Sequence, residues 1–231
     1  MLVDWNACSD GLEWYDSKFK DEADYQEILN ALAEEDREDY ASWLMNKAGP
    51  DDSVLEAEEI ETDKSIFFAG SLKITKHIRG SLRVMAGRGI EAGWGIEVGR
   101  GIKAGEGIKA GWGMKAGEGI ESGWGIESGW GIESGWGIEA GWGIKSGRGI
   151  KAGWGGIKAG WGIESGWGIE SDWRIEAGCD IKAGDGIKAS WYIVAGWGMK
   201  AGEDIESGWG IVAGRGIESG WGIKAGDDIK A

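Results

Sequence analysis

The chain has two cysteines, one histidine, one proline and no long apolar run, and each scarcity removes a class of protein. Cys8 and Cys179 lie in different regions with no ligand spacing, so neither a disulfide framework nor a zinc site is expected, and both read as free thiols. His77 stands alone beside Lys76, and a surface histidine is the simpler reading than a catalytic base. No stretch approaches the roughly 18 apolar residues of a membrane span. The start, Met1-Leu2-Val3-Asp4, has neither the basic region nor the apolar run of a signal peptide, so a cytoplasmic protein without membrane attachment is expected. Thr62 and Thr75 are the only threonines, too few for a regular ice-binding hydroxyl array. Glycine recurs so often that no phosphate-binding loop can be recognised, and no cofactor or metal is expected.

What is present is one six-residue unit, written about two dozen times from Val84 to Ala231: Ile, Glu or Lys, Ala or Ser, Gly, usually Trp, then Gly. Ile90-Glu91-Ala92-Gly93-Trp94-Gly95 is a clean copy. A short fixed period marks a solenoid, in which each unit buries its apolar side only by stacking on its neighbours. Six does not fit 3.6 residues per turn, and two glycines per unit would cost a helix about 1 kcal/mol each. Each unit therefore reads as a short strand with Ile in, the charge out and Ala or Ser in, followed by a Gly-Trp-Gly corner. The fifth position also accepts Arg100 and Glu106, which places it outside. The flanking glycines suit corners that need positive φ.

The charges at position two give the coil size, because like charges directly opposite in a ladder repel. From Glu91 onward, 16 of 18 charged pairs three units apart are opposite, against 11 of 18 two apart and 13 of 17 four apart. Three sides and about 18 residues per coil is the better fit, with four sides the alternative. In that frame Val194 stacks with Val212, Arg88 lies under Glu106, and Arg100 lies under Glu118. Trp136, Trp154, Trp173, Trp191 and Trp209 form one column, Arg148 sits between Trp130 and Trp167, and Gly155-Gly156 adds a bulge. This pattern resembles the hexapeptide-repeat β-helices, which also build triangular coils from three six-residue units. In that family the small residue precedes the aliphatic by two, whereas here it follows by two. The triangular solenoids of polymer-forming bacterial filament proteins are similar on the same grounds.

The expected organisation is an acidic helical module (1–50), an acidic linker (51–65) and the solenoid (66–231), whose register reaches back to Ile60 or Ile66. Charge separates these parts. Residues 1–65 hold 20 acids and 5 bases, while 66–231 hold 20 of each, so the whole net charge of −15 belongs to the front of the chain. Apolar stripes predict three helices: Trp5, Cys8, Leu12, Tyr15 and Phe19; then Tyr25, Ile28, Leu29 and Leu32, opened by Asp24; then Tyr40, Trp43 and Leu44, stopped by Gly49-Pro50. Phe67 and Phe68 are placed to touch them. Asp4-Trp5-Asn6-Ala7-Cys8, Gly11-Leu12-Glu13-Trp14 and Asp39-Tyr40-Ala41-Ser42-Trp43-Leu44 resemble a small helical segment near the start of phage and bacterial proteins of unassigned function, which implies a phage or mobile-element origin.

A repeat written in Ile, Ala, Gly and Trp supplies no convergent polar groups, so an interaction protein, not an enzyme, is expected. Its leading form is an inhibitor of a host defence or nucleic-acid-handling enzyme, such as a nuclease or a CRISPR or restriction component, in the host cytosol. The acidic module would meet a basic protein surface. Direct nucleic-acid binding is not expected, because glutamate alternates with lysine along the rod. Candidate partner-binding residues are Asp21, Glu22, Asp24, Glu34, Glu35, Asp36, Glu38 and Asp39, with the irregular units Asp172, Arg174, Asp180 and Tyr192. A self-assembling scaffold or filament and glycan binding on the Trp ladders are the alternatives. Asp227, Asp228, Ile229 and Lys230, inside the last repeat, are the candidate self-association residues for a homodimer.

Overall fold

The computed structural model describes residue 5, residues 7–20 and residues 22–231. Among these, three helices precede a β-solenoid of ten coils, built as three parallel ten-stranded sheets in which each strand pairs with the strand three further on. The register is 18 residues, as in Glu127 beside Lys145, and becomes 19 where the extra glycine falls, as in Lys145 beside Glu164. Four sides are thereby excluded. Position one fills the interior: Ile90, Ile108 and Ile126 are 1% exposed, and in the last coil, at Ile223 and Ile229, the position opens to 37% and 49%. Position three completes it, and where it holds Ser the hydroxyl is satisfied; Ser122 donates to the carbonyl of Glu106 at 2.5 Å.

The solenoid begins earlier than the linker assignment allows. Val54–Ala57 and Ile60–Thr62 already form strands, paired with Ser71–Ile74 and Ile78–Gly80. Residues 51–65 therefore start the first coil. Their acids disguise this, but the position-one residues Ile60 and Ile66 keep the inward register.

The corner glycines serve a different purpose from the one expected. Positive φ occurs among described glycines only at Gly49, which ends the third helix, and at Gly156 in the bulge. Corners instead need glycine at position four for space. A Cβ on Gly129 would lie 2.0 Å from the carbonyl oxygen of Gly111 in the preceding coil, whereas one on Gly131, at position six, would meet nothing closer than 3.6 Å. This asymmetry explains why Arg174, Asp180 and Tyr192 are accommodated at position six without backbone strain. Asp172 and Ser190 hold position four in the two coils after the Gly155-Gly156 bulge on the same corner, and Thr75 and Ser81 hold it in the irregular coils near the head.

Gly129→Ala is expected to destabilise the rod by about 3 kcal/mol, the upper end of ordinary overpacking, because the clash is with backbone. Gly131→Ala should cost less than about 1 kcal/mol. Denaturant unfolding of the two variants side by side measures the difference, and equal effects would contradict the steric account.

Candidate functional site

The outward charges of the first two sheets make near-regular ladders. Lys145 pairs with Glu164 at 3.7 Å and Lys151 with Glu170 at 3.6 Å. Such exposed pairs contribute no more than about 1 kcal/mol each, so they enforce register more than they stabilise. At the two like-charge neighbours each side chain turns away from the other. Glu121 and Glu139 turn to Lys103 at 3.1 Å and Lys158 at 3.3 Å, while Lys182 and Lys200 turn to Asp180 at 3.4 Å and Glu218 at 2.9 Å.

The third sheet differs. Its position-two column reads Phe67, Met85, Lys103, Glu121, Glu139, Lys158, Glu176, Val194, Val212, Lys230. An apolar pair stands near each end, and the first is covered by the helices. Helix α1 (Ser9–Lys18), α2 (Tyr25–Glu34) and α3 (Glu38–Ala48) pack into a cluster with Phe67, Ala69 and Met85, all at most 3% exposed. Phe68 does not join them. Strand alternation turns it inward to the solenoid core, so of the two expected phenylalanines only Phe67 meets the helices, and Met85 is its partner. The signal was an uncharged residue at position two. Gln26 adds a polar clasp: its amide donates to the Phe67 carbonyl at 2.8 Å and accepts from Ala69 N–H at 2.9 Å.

The candidate acids divide by what they touch. Asp24 caps α2, accepting from Gln26 N–H at 2.8 Å, with Glu27 returning the bond to its backbone at 3.0 Å. Glu34 pairs with Lys64, Asp36 with Arg100 and with Ser65 at 2.5 Å, and Glu38 with Arg83 at 2.9 Å. These acids tie the head to the rod instead of standing free. Glu118 does stack over Arg100 as expected, its N–H reaching the Arg100 carbonyl at 3.0 Å, but the Arg100 guanidinium goes to Asp36 and Arg83 takes the Glu118 carboxylate at 2.8 Å, while Arg88 reaches Glu106 at 3.3 Å. Glu35 stays within the head, where hydrogen bonds from Lys18 and then from Trp14 Nε1 at 2.8 Å hold its carboxyl below the usual range. Glu22 and Asp39 are exposed, and Asp21 lies outside the described residues. Alongside them Asp10, Glu13 and Asp16 on α1 are exposed and carry no ion pair among the described residues. Between the helices lies an apolar cleft of about 300 Å³, lined by Cys8, Trp14, Tyr15, Tyr40 and Trp43 with Asp39 among them.

The irregular units do not converge. Asp172, Arg174 and Tyr192 lie on the corner between the second and third sheets, whereas Asp180 lies on the next corner, where it accepts from Gly198 N–H at 3.0 Å. Arg174 pairs with Glu176 at 3.3 Å, and the Tyr192 ring lies beside Trp209 at 6.1 Å. Asp227, Asp228, Ile229 and Lys230 are exposed on the last coil, with Lys230 pairing to Asp228 at 3.2 Å.

The tryptophans face outward and stack, as expected. Trp94, Trp112 and Trp130 follow at 5.7 Å with planes within 12°, and Arg148 lies 4.3 Å from Trp130 and 5.1 Å from Trp167. The five-membered column is interrupted, however. Gly155 N–H, not Trp154, bonds the Trp136 carbonyl at 2.9 Å, and ring contact resumes only at Trp173, Trp191 and Trp209. The bulge residue has taken the stacking place. Among the described residues no cluster of side chains suits a metal ion, and no helix is long and apolar enough to cross a membrane.

Residues 1–48 match the family described as the YdhT N-terminal domain. The match ends where α3 ends, so it covers the helical head and leaves the rod outside. No curated protein and no solved structure matches the chain.

Phe67→Ala is expected to cost about 3 kcal/mol or more at the head. It should release the head while the coils hold, visible as lost amide-exchange protection in α2 and α3 but not in the coils beyond Ile90. A second expectation concerns Tyr25, whose hydroxyl donates to the Gly49 carbonyl at 3.2 Å. Burial, with Asp51 adding to it, pushes its pKa up to about 12. A raised pKa means that the folded head favours the neutral phenol. Its contribution is complete below about pH 10 and fades as pH rises through about 12, so helical ellipticity should fall over that interval, and less so in Tyr25→Phe.

Proposed function

We propose that the chain is a non-enzymatic interaction protein whose acidic helical head binds a basic surface on a partner protein, with the rod, charge-balanced beyond its first coil, as its mount. The observation that carries this reading is the segregation of charge: 13 acids against 4 bases in the head (1–50), 7 against 1 in the first coil beside it (51–65), and 20 of each thereafter. Even after Glu34, Asp36 and Glu38 are spent on the rod, α1 keeps Asp10, Glu13 and Asp16 exposed near a cleft of aromatic side chains. Acids steer a basic partner, and an aromatic cleft offers it an anchor. In its specific form, the partner is a host defence or nucleic-acid-handling enzyme, whose substrate groove must be basic, and the chain is a phage or mobile-element inhibitor. The similarity of residues 1–48 to a domain family supports treating the head as a unit of its own.

Glycan binding on the ladders has less support, because stacked indoles cover each other's faces and offer mainly edges. The rod surface is also charge-balanced, which does not favour nucleic acid.

Affinity capture with the full chain, followed by binding measured against salt, tests the proposal. Asp10→Lys, Glu13→Lys and Asp16→Lys together should weaken capture at least tenfold without altering the melting of the rod. Capture that is indifferent to these changes and to salt would sink it.

A further inference from the structure

The third sheet carries a second apolar pair, Val194 beside Val212, and nothing among the described residues covers it. Val212 is 36% exposed and Tyr192 is 38% exposed beside it, against 1% for Phe67 in the pair that the helices cover. Charge brackets the valines: Glu176 precedes Val194 in the column, and Lys230 follows Val212. Each carries a position-six neighbour of opposite sign, Arg174 at 3.3 Å and Asp228 at 3.2 Å respectively.

We propose that this face is a self-association surface, on which a second copy of the chain sits with its long axis antiparallel. A two-fold axis parallel to the strands, passing between Val194 and Val212, sets each valine against its counterpart. The same operation puts Glu176 opposite the second copy's Lys230, and Arg174 opposite the second copy's Asp228. Every like charge is avoided. A closed dimer requires such a self-complementary patch. Other placements match less well: parallel rods put Glu176 against Glu176, a shift of one coil towards the heads puts Lys158 against Lys230, and a shift the other way sets Lys230 on Val194 and leaves Glu176 without a counterpart. The first and second sheets hold no apolar pair at position two beyond the first coil, so they offer no equivalent surface. The helical heads lie at the far ends of such a pair, so the interaction is independent of whatever the head binds.

The patch spans four coils at about 4.8 Å and a side of about six residues at about 3.3 Å, on the order of 400 Å² a side. A durable complex needs roughly 800 Å² a side, so a weak dimer that forms with rising concentration is expected.

Sedimentation velocity of the full chain from about 1 µM to about 500 µM reads it directly. The wild type should shift towards dimer, and the shift should shrink with salt. Glu176→Lys and Lys230→Glu should each abolish it, and the double exchange E176K/K230E should restore it. Val212→Asp, which leaves the flanking charges alone, should abolish it too. A wild type that is monomeric throughout, association that survives Glu176→Lys, or a double exchange that fails to recover would each overturn the proposal.

Discussion

The whole rod depends on how closely one coil lies on the next. At each corner the position-four N–H reaches a carbonyl of the coil before it, as Gly129 N–H reaches Ala110 at 3.1 Å, and the following residue does the same, as Trp130 N–H reaches Trp112 at 2.7 Å. That approach leaves about 2 Å where a Cβ would stand. Glycine is thus a spacing requirement here, and flexibility has little to do with it. Once the coils are held at that distance, isoleucines stack on isoleucines, indoles on indoles and charges on charges, without further instruction.

Stacking turns a six-letter repeat into a surface with columns, and each column has its own tolerance. Position two must alternate in sign or find relief from a neighbour, as Glu121 and Glu139 do. Position five accepts any flat or charged group that can lie over its predecessor, which is why Arg148 fits between two indoles. Position six accepts almost anything. Departures at positions two and six are therefore cheap for the fold, and they are where a face can be made specific. The third sheet gathers most of them: an apolar pair under the helices, a like-charge pair in the middle and a second apolar pair near the other end.

The helical head shows why charge counted along a chain does not measure charge offered to a partner. Asp36 looked like part of a free acidic run, yet it is spent on Arg100 and Ser65, 64 and 29 residues away in sequence. Its neighbours Glu34 and Glu38 are spent likewise. Glu22 and Asp39 stay exposed, and beside them stand Asp10, Glu13 and Asp16 on α1, which no candidate residue had marked. A helix that docks must satisfy the charges along its seam, and the seam is set by Phe67 and Met85 at positions that break the outward charge pattern.

Much of this protein was decided within the six-residue unit. Period, inward isoleucine, outward tryptophan, the 18-residue coil and the Val194–Val212 neighbourship all follow from local alternation and from the sign of stacked charges, and so they could be read before any coordinates. Three things could not. The position of the head on the third sheet, the diversion of Arg100 to Asp36, and the separation of Asp180 from Arg174 and Tyr192 depend on where distant residues land around a triangle. The broken tryptophan column adds a fourth, since only the path of the chain at Gly155-Gly156 shows which residue takes the stacking place. A repeat specifies its neighbours one coil away because hydrogen bonds and sterics act over a few ångströms; which side of the triangle meets a helix is settled only when the chain has closed around its core.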